Sequence, residues 1–277
     1  MERIVAATDL TLRGAPALLR AAKLAREFRV PLTLLHVVDE DLPDALRRSQ
    51  QLQAKGLLDA EVDRLGSAYG IEVEAQVEVG SDAYTIARTA EALGADWVVV
   101  GSSQPLLEAG KRLGSATKRL MRETDLPLLV VRNDVEGGYR RVLVAIDLID
   151  ASRRVLGLAH RLAETEPLQV LHVPQDPAGR DSTDAAATYT DPAARAALES
   201  LLANAGFEAG AATPLIRLGQ VDNLLPRVAD EVEADLVAIG TTTQAKGAVE
   251  RWLMGSHAEH ALSHVVTDLL IVPLEAS

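Results

Sequence analysis

The sequence contains no cysteine, which excludes disulfide bonds and thiolate metal sites. Aromatic residues make up only 3% of it, so we expect a core built from valine, leucine, isoleucine and alanine. No apolar run approaches the roughly 18 residues of a membrane-spanning helix. Residues 1–6 lead directly into a strand-like run and lack the layout of a signal peptide. These absences favour a cytoplasmic protein that has no membrane partner.

Basic residues are also scarce, with 28 lysines and arginines against 40 aspartates and glutamates and a net charge of −12. Nucleic acids bind basic surfaces, so we do not expect a nucleic-acid partner. A content of 48% hydrophobic and 25% charged residues is typical of a globular protein with a substantial core. The length of 277 residues suggests about two domains.

The chain repeats its own motifs in the same order. The matching segments are 3–10 with 141–148, 34–37 with 170–173, 95–101 with 234–240, and 114–115 with 255–256. The offsets between them lie between 136 and 141 residues. We conclude that the chain is duplicated. Polar residues and paired glycines at 133–139 interrupt the apolar pattern and predict domains at 1–135 and 139–277.

Apolar runs alternate with helical periodicity in each half. In the first half, strands are predicted at 3–8, 32–38, 71–79, 96–101 and 127–132, and helices near 13–28, 44–69, 82–94 and 112–124. Continuous apolar runs such as 97–100 are typical of parallel strands that helices cover on both faces. The alternation predicts an α/β fold with two doubly wound parallel five-stranded sheets, one in each repeat. In such sheets ligands bind beyond the carboxyl ends of the strands, where the strand order reverses.

Polar residues stand at the ends of strands one and two. Asp9 and Asp147 follow the first strand of each half, where a carboxylate can accept hydrogen bonds from ribose hydroxyls or cap the next helix. Both interpretations remain open. His36 and His172 stand at the end of the second strand, where exposed backbone groups can also read the edge of a base. Because no serine or cysteine nucleophile is placed near them, we interpret these histidines as structural.

A glycine ends the fourth predicted strand of each half, Gly101 in the first and Gly240 in the second. Each is followed by a loop and then by Gly-Ser at the start of a predicted helix, at 114–115 and 255–256. Glycines and free amides at a helix N-terminus suit phosphate oxygens, although glycines can also only shape a loop and serines can cap a helix. There is no Walker loop and no Gly-x-Gly-x-x-Gly after a strand.

On these residues the chain resembles the universal stress protein family, in two copies that cover essentially all of it. Nucleotide-binding members carry Gly-x-x-Gly, nine residues and then Gly-Ser or Gly-Thr after strand four. The first half keeps this spacing but has Gln104 in place of the second glycine. The second half has Thr243 there, and its loop is two residues longer, with 15 positions instead of 13 from Gly240 to Gly255. We therefore expect the first half to be the better nucleotide site.

The resemblance implies a stress-response regulatory protein that binds ATP or AMP and has no catalytic residue, with at most slow ATP hydrolysis. The nucleotide-binding positions that it implies are Ala7, Asp9, Val37, Gly101, Gln104, Gly114 and Ser115 in the first half, and Ala145, Asp147, Val173, Gly240, Gly255 and Ser256 in the second. The alternative is that degenerate pockets serve as a scaffold for protein partners or bind a non-nucleotide ligand. The resemblance also implies pairing of the two domains within the chain and leaves a further homodimer open.

Three histidines, His257, His260 and His264, follow the second Gly-Ser in a stretch predicted to be helical. The i, i+4 spacing of His260 and His264 can chelate a divalent metal. The alternative is a helix face without a metal. Because only one of the two copies carries these histidines, we expect no metal cofactor.

Overall fold

The computed structural model describes residues 2–102, 115–133, 137–164, 167–174, 191–243 and 256–275. The chain folds as two compact units, Met1–Val135 and Glu136–Ser277. Both units alternate parallel strands with helices, so the α/β fold class predicted from the sequence is confirmed. None of the helices in these ranges is both long enough and apolar enough to cross a lipid bilayer.

The first unit follows the predicted order of strands and helices closely. Its elements are β1 (Ile4–Ala7), α1 (Ala15–Phe28), β2 (Leu32–Val38), α2 (Asp44–Tyr69), β3 (Val73–Val79), α3 (Asp82–Ala92), β4 (Trp97–Gly101), α4 (Ser115–Glu123) and β5 (Leu128–Val131). A short 3₁₀ turn at Leu12–Gly14 precedes α1. The long helix α2 ends at Gly70, whose φ of 64° favours glycine and closes the last turn through its N–H to the carbonyl of Gly66.

The second unit repeats the same succession. Its elements are β6 (Val142–Ala145), α5 (Ser152–Leu162), β7 (Leu168–His172), α6 (Pro192–Asn204), β8 (Ala212–Ile216), α7 (Val221–Glu231), β9 (Leu236–Thr243), α8 (Ser256–His264) and β10 (Asp268–Glu275). Helix α6 begins where its sequence indicates. The carboxylate of Asp191 accepts hydrogen bonds from the N–H groups of Ala193 (2.9 Å) and Ala194 (3.2 Å), and Pro192 occupies the first turn.

The strand order is equivalent in the two units: β3-β2-β1-β4-β5 in the first and β8-β7-β6-β9-β10 in the second. All of the pairs that these orders contain are parallel. The order reverses between β1 and β4 in the first unit and between β6 and β9 in the second. These are the positions at which doubly wound sheets bind ligands.

A cleft opens at the reversal point of the first unit because β1 is shorter than its neighbours. Pairing of β1 ends at Ala7, which lies opposite Leu35 of β2 and Val100 of β4. Strand β2 continues to Val38 and β4 continues to Gly101. The ends of β2 and β4 therefore extend beyond β1 and leave the space between them to a ligand.

Helices cover both faces of the first unit's strands. Helix α1 packs on β1 and β4, α2 packs on β2 and β3, and α3 packs on β2 and α4. Strand residues such as Val98, Val99 and Leu129 are consequently fully buried. This two-sided burial is the physical reason for the continuous apolar run at 97–100.

Strand β9 departs from the prediction that the fourth strand of the second half ends at Gly240. It continues for three more residues, to Thr243, because β10 extends alongside it and residues 241–243 pair in order with 273–275. Three successive threonines favour this extension, since β-branched side chains suit strands. In the first unit the equivalent pairing stops at Gly101 and Val131. The prediction of equivalent strand ends is therefore wrong.

Candidate functional site

A cavity of about 450 Å³ lies at the carboxyl ends of β1, β2 and β4, in the cleft beyond the short strand β1. We call it the first cavity. Its volume falls within the roughly 300–1,000 Å³ of small-molecule sites. Four of the predicted site residues line it, namely Ala7, Asp9, Val37 and Gly101. Folding thus brings together positions from three strands that are far apart in the sequence.

The first cavity combines a buried apolar lining with exposed charged residues. Its buried lining residues are Ala7, Leu35, Ala83, Val100 and Leu120, together with the glycine at position 14 and Thr117. Its charged lining residues are Asp9, Asp39, Asp82 and Arg13, all of them exposed. Three carboxylates against one guanidinium make the described lining acidic.

Four lining residues with charged or amide side chains lie outside the predicted set: Arg13, Asp39, Gln50 and Asp82. Asp39 directly follows β2, and Asp82 begins α3 just after β3. The rule that pointed to Asp9, a polar residue just after a strand, therefore also points to these two carboxylates. Gln50 comes from α2, and nothing in its sequence surroundings indicates that it reaches the cavity.

Asp9 forms a tight turn directly after β1. Its Oδ1 atom accepts hydrogen bonds from the N–H (3.0 Å) and the Oγ1 hydroxyl (2.8 Å) of Thr11. Neither the 3₁₀ turn nor α1 has a side-chain cap. Of the two interpretations left open by the sequence, helix capping is therefore not the role that Asp9 has. Its exposed carboxylate lines the cavity, where a ligand hydroxyl can reach it.

Asp147 occupies the equivalent position after β6 and is also exposed. The N-cap of α5 is Ala151, and no side chain caps this helix. Instead, the hydroxyl of Ser152 donates a hydrogen bond to the backbone carbonyl of Asp147 at 2.8 Å. Asp147 thus shares with Asp9 its place at the strand end, but its carboxylate does not form the same turn.

The two strand-end histidines contact the backbone, as their structural interpretation predicted. The Nδ1 atom of His36 lies 2.8 Å from the carbonyl oxygen of Thr8, and Nδ1 of His172 lies 3.1 Å from that of Ile146. A carbonyl only accepts, so Nδ1 carries the proton in each ring. Each histidine ties the end of the second strand to the residue that follows the first strand, and this structural interpretation is confirmed.

Gly101 lies where two backbone segments approach closely. A Cβ atom at this position would lie 3.3 Å from Cα of Gly14, 3.5 Å from the carbonyl oxygen of Arg13 and 3.7 Å from Cβ of Ala17. A branched side chain would therefore press on the turn after β1 and reach into the first cavity. Glycine keeps the backbone of the strand end accessible to a ligand at this point.

The second unit has a cavity of about 130 Å³ at the equivalent strand ends, which we call the second cavity. The predicted site residues Ala145, Asp147, Val173 and Gly240 line it. The rest of its lining is mainly apolar and includes Ile146, Val155, Leu171, Val221, Leu225, Ile239 and Leu274. Its volume lies below the range that is typical of small-molecule sites.

Leu274 and Val155 cover Gly240 in the second cavity. A Cβ atom at position 240 would lie 2.6 Å from Cδ1 of Leu274 and 3.2 Å from Cγ2 of Val155. Val155 stands where the first unit has the smaller Ala17, at the same 138-residue offset that separates Asp9 and Asp147. The side chains of Leu274 and Val155 therefore occupy the space beside Gly240, whereas small groups lie beside Gly101 in the first unit.

Several predicted positions lie outside the described residues or at their limits. Gln104, Gly114 and Gly255 are outside them, as are the basic residues between Gly101 and Ser115. Ser115 and Ser256 begin α4 and α8. Ala116 and Thr117, in the first turn of α4, line the first cavity, and this turn brings the helix N-terminus to the cleft.

The predicted helix with the three histidines is present as α8. The rings of His260 and His264 stack with centroids 3.7 Å apart, and Nδ1 of His264 lies 2.9 Å from the carbonyl oxygen of His260. That nitrogen is thus engaged with the backbone of its own helix. Within the described ranges, no group of three histidine, cysteine or carboxylate side chains is arranged to hold a metal ion.

Comparison with known proteins places the chain in a family. The model of the universal stress protein family matches residues 1–132 and again residues 138–273. A universal stress protein from Archaeoglobus fulgidus DSM 4304 superposes with a TM-score of 0.78 at 17% identity, over 98% of both chains. A protein of unknown function from Pseudomonas aeruginosa PAO1 superposes with a TM-score of 0.68 at 22% identity, over 99% of this chain and 93% of the other. No curated protein matches the sequence. The chain therefore belongs to the universal stress protein family, as two tandem copies of its domain.

Proposed function

We propose that the first unit binds an adenine nucleotide, ATP or AMP, and that the chain is a nucleotide-responsive regulatory protein of the cytoplasm. The observation that carries this proposal is the first cavity, which joins the ends of β1, β2 and β4 around Asp9, Val37 and Gly101. Its volume of about 450 Å³ and its mixed apolar and polar lining suit a nucleoside.

Val37 is proposed to recognise the base through its backbone. Pairing of β2 with β1 ends at Leu35, whereas pairing with β3 on the other side continues through Val37, opposite Glu78. The side of β2 that faces the cleft therefore has no partner strand beyond Leu35. Backbone N–H and C=O groups on that side can match the donor and acceptor on the edge of adenine, and guanine presents the reverse pattern there.

Asp9 and Gly101 are proposed to hold the ribose and the phosphates. The exposed carboxylate of Asp9 can accept hydrogen bonds from ribose hydroxyls. Gly101 and the first turn of α4 supply a close backbone approach and a helix N-terminus, both of which favour anionic oxygen. Arg13 is the one cation of the described lining that can offset phosphate charge.

The described lining favours binding over catalysis. His36, the one histidine of this lining, has Nδ1 directed at the carbonyl of Thr8, and Oδ1 of Asp9 is occupied by Thr11. His36 is paired with a backbone carbonyl, and the hydrogen bonds from Thr11 to Asp9 close a local turn, so the described lining presents no assembled nucleophile, base and orienting group. We therefore propose no catalytic residue and at most slow hydrolysis of ATP.

A second candidate function is the binding of a ligand that is not a nucleotide. The charge of the first cavity favours it, because three carboxylates face one guanidinium in the described lining and repel phosphate groups. A neutral or cationic ligand of nucleoside size avoids this repulsion.

Isothermal titration calorimetry on the full chain tests the proposal, with AMP, ATP and GMP as ligands. Saturable binding of AMP or ATP with clearly weaker binding of GMP is the expected result, since backbone recognition at Val37 discriminates the two purines. Absence of binding at millimolar AMP and ATP would contradict nucleotide binding and favour the second candidate. Equal affinity for AMP and GMP would contradict the role proposed for Val37.

A further inference from the structure

The glycine that ends β4 and its counterpart in β9 have different surroundings, although both line a cavity at the strand reversal. Gly101 is the last residue of β4, and the three described atoms nearest to its missing side chain belong to Ala17 and to the backbone of residues 13–14. Gly240 lies inside β9, with three strand residues after it. The side chain of Leu274 lies over it, 2.6 Å from where a Cβ atom would stand.

Leu274 reaches this position because β10 is longer than β5. In the parallel pairing, Val131 lies opposite Gly101 and Val272 lies opposite Gly240. Two residues further on, the first unit has Asn133, beyond the end of β5, whereas the second unit has Leu274 within β10. Leu274 is 5% exposed, so its side chain is part of the packed interior of the second unit.

Arg154 fixes the end of β10 on which Leu274 stands. Its guanidinium donates a hydrogen bond at 3.0 Å to the carbonyl oxygen of Pro273, the residue just before Leu274. Arg154 belongs to α5, the helix that also presents Val155 to Gly240. The cover over Gly240 is therefore held both by strand pairing with β9 and by a side chain from the neighbouring helix.

The extension of β9 also changes which backbone N–H groups after Gly240 are available to a ligand. Residues 241–243 pair with 273–275, and parallel pairing engages alternate N–H groups of a strand in hydrogen bonds to its neighbour. In the first unit, the N–H of Ser102 donates to Val131 at 2.9 Å, and the strand pairing ends there. The alternate N–H groups of residues 241–243 that pair with β10 are thus not available to phosphate oxygens.

We infer that Leu274 is a specificity-determining residue that excludes nucleotides from the second cavity, so that the chain binds a single nucleotide, in the first unit. The side chain takes the space beside Gly240 in which the ribose and phosphates would lie, as proposed for Gly101 in the first unit, and the extended β9–β10 pairing engages amides of residues 241–243 that could otherwise hold phosphates. Binding of the nucleotide in the first unit rests on the function proposed above, whereas its exclusion from the second cavity does not depend on that function.

The test is an NMR titration of the full chain with labelled valine, leucine and isoleucine methyl groups, using adenosine and AMP as probes. Val37 and Ile86 report on the first cavity, and Val155 and Ile239 report on the second. Adenosine isolates the steric role of Leu274, because it has no phosphate, and AMP adds the contribution of the amides. The variant is Leu274→Ala. Its matched control is Leu269→Ala, which removes the same atoms from the same strand. Because side chains alternate between the two faces of a sheet, Leu269 lies on the face opposite to that of Leu274.

In the wild type, both probes should shift the signals of Val37 and Ile86 and leave those of Val155 and Ile239 in place. In Leu274→Ala, adenosine should shift Val155 and Ile239 saturably, with an affinity raised about tenfold or more, which is typical for opening an apolar position. Leu269→Ala should leave the second-cavity signals in place. AMP should bind the opened cavity no more tightly than adenosine, because the strand pairing persists.

Saturable shifts of Val155 and Ile239 in the wild type would overturn the inference, and so would a folded Leu274→Ala variant whose second cavity stays closed to adenosine. AMP binding the opened cavity much more tightly than adenosine would overturn the part that concerns the amides. If the Leu274→Ala variant fails to fold, Leu274→Val provides the same test with a smaller change. Failure of the proposed function has a different signature, since Val37 and Ile86 then stay in place while Val155 and Ile239 still report on Leu274.

Discussion

The two units have the same strand order and the same residues at several strand ends, yet their cavities differ about threefold in volume, at about 450 and 130 Å³. Both keep an aspartate after the first strand, a histidine at the end of the second and a glycine on the fourth. The difference comes from residues outside these motifs. Val155 replaces a smaller residue on the helix, and an extended strand carries Leu274 over the glycine. A repeated motif therefore preserves a fold more readily than it preserves a binding site.

We expect the largest difference in AMP binding between substitutions of the two glycines, Gly101 and Gly240. Gly101→Val should weaken AMP binding by roughly tenfold to a hundredfold, because added methyl groups at the wall of a ligand pocket cost about 1–3 kcal/mol of binding free energy. Gly240→Val should leave AMP binding unchanged, although it lowers the stability of the second unit. Calorimetric titration of both variants measures the difference, and equal losses in the two would remove the contrast between the units.

The second unit also differs from the first in a buried hydrogen bond between two side chains. The hydroxyl of Tyr139 donates to Oδ2 of Asp268 at 2.7 Å, and both residues are 1% exposed. The first half has Pro127 where the second has Asp268. Tyr139→Phe should reduce the free energy of unfolding by about 1–3 kcal/mol, because it takes a donor from a buried carboxylate. Urea denaturation measures this loss.

Tyr84→Phe is the control for that prediction, since Tyr84 is 54% exposed and its hydroxyl has water as an alternative partner. The control should change the free energy of unfolding by less than about 0.5 kcal/mol. A loss of the same size in both variants would mean that the Tyr139–Asp268 contact contributes nothing specific.

The strand-end aspartates should differ in their effect on the ligand. Asp9→Ala removes a carboxylate that lines the first cavity and also orders the turn through Thr11. We expect AMP affinity to fall by about tenfold, equivalent to one hydrogen bond to a charged group of about 1.5 kcal/mol. Asp147→Ala should leave AMP affinity unchanged. A matching loss in the Asp147 variant would indicate that the second unit also takes nucleotide.

The smallest expected effect concerns charge at the first cavity. Asp82→Asn removes one of its three carboxylates, whereas the second cavity has Val221 in the first turn of the equivalent helix. ATP affinity should rise by a few-fold, since the Coulomb energy between exposed charges is about 1 kcal/mol at close range in water. AMP should gain less, and added salt should reduce both gains.

Asp63→Asn, on the exposed surface of α2, serves as the control for charge. It changes the net charge by the same amount but does not line the cavity. If it raised ATP affinity as much as Asp82→Asn does, the effect would come from the overall charge of the chain. Titration at two salt concentrations separates the local effect from the global one.

Most of the first unit could be predicted from the sequence because its signals are local. The apolar run at 97–100 and the periodicity of 44–69 specify a buried strand and a long helix, and the structure has both. The strand-end rule pointed to Asp9, to the end of strand two and to Gly101, and the family resemblance added Ala7 and Val37; these four residues line one cavity. The same rule also points to Asp39 and Asp82, which follow β2 and β3. Gln50 carries no local signal, since its approach to the cavity depends on how α2 packs.

The sequence by itself determined the duplication, the parallel α/β fold and the places where strands end in polar residues, because these follow from periodicity and from motifs read along the chain. It also indicated that the second half departs from the family's glycine spacing. The tertiary structure alone decided whether the space beside Gly240 is open. Leu274 is 34 residues from Gly240 in the sequence, and only the pairing of β9 with β10 brings its side chain over that glycine. Whether a cavity is open depends on such contacts between distant residues, and no local pattern encodes them.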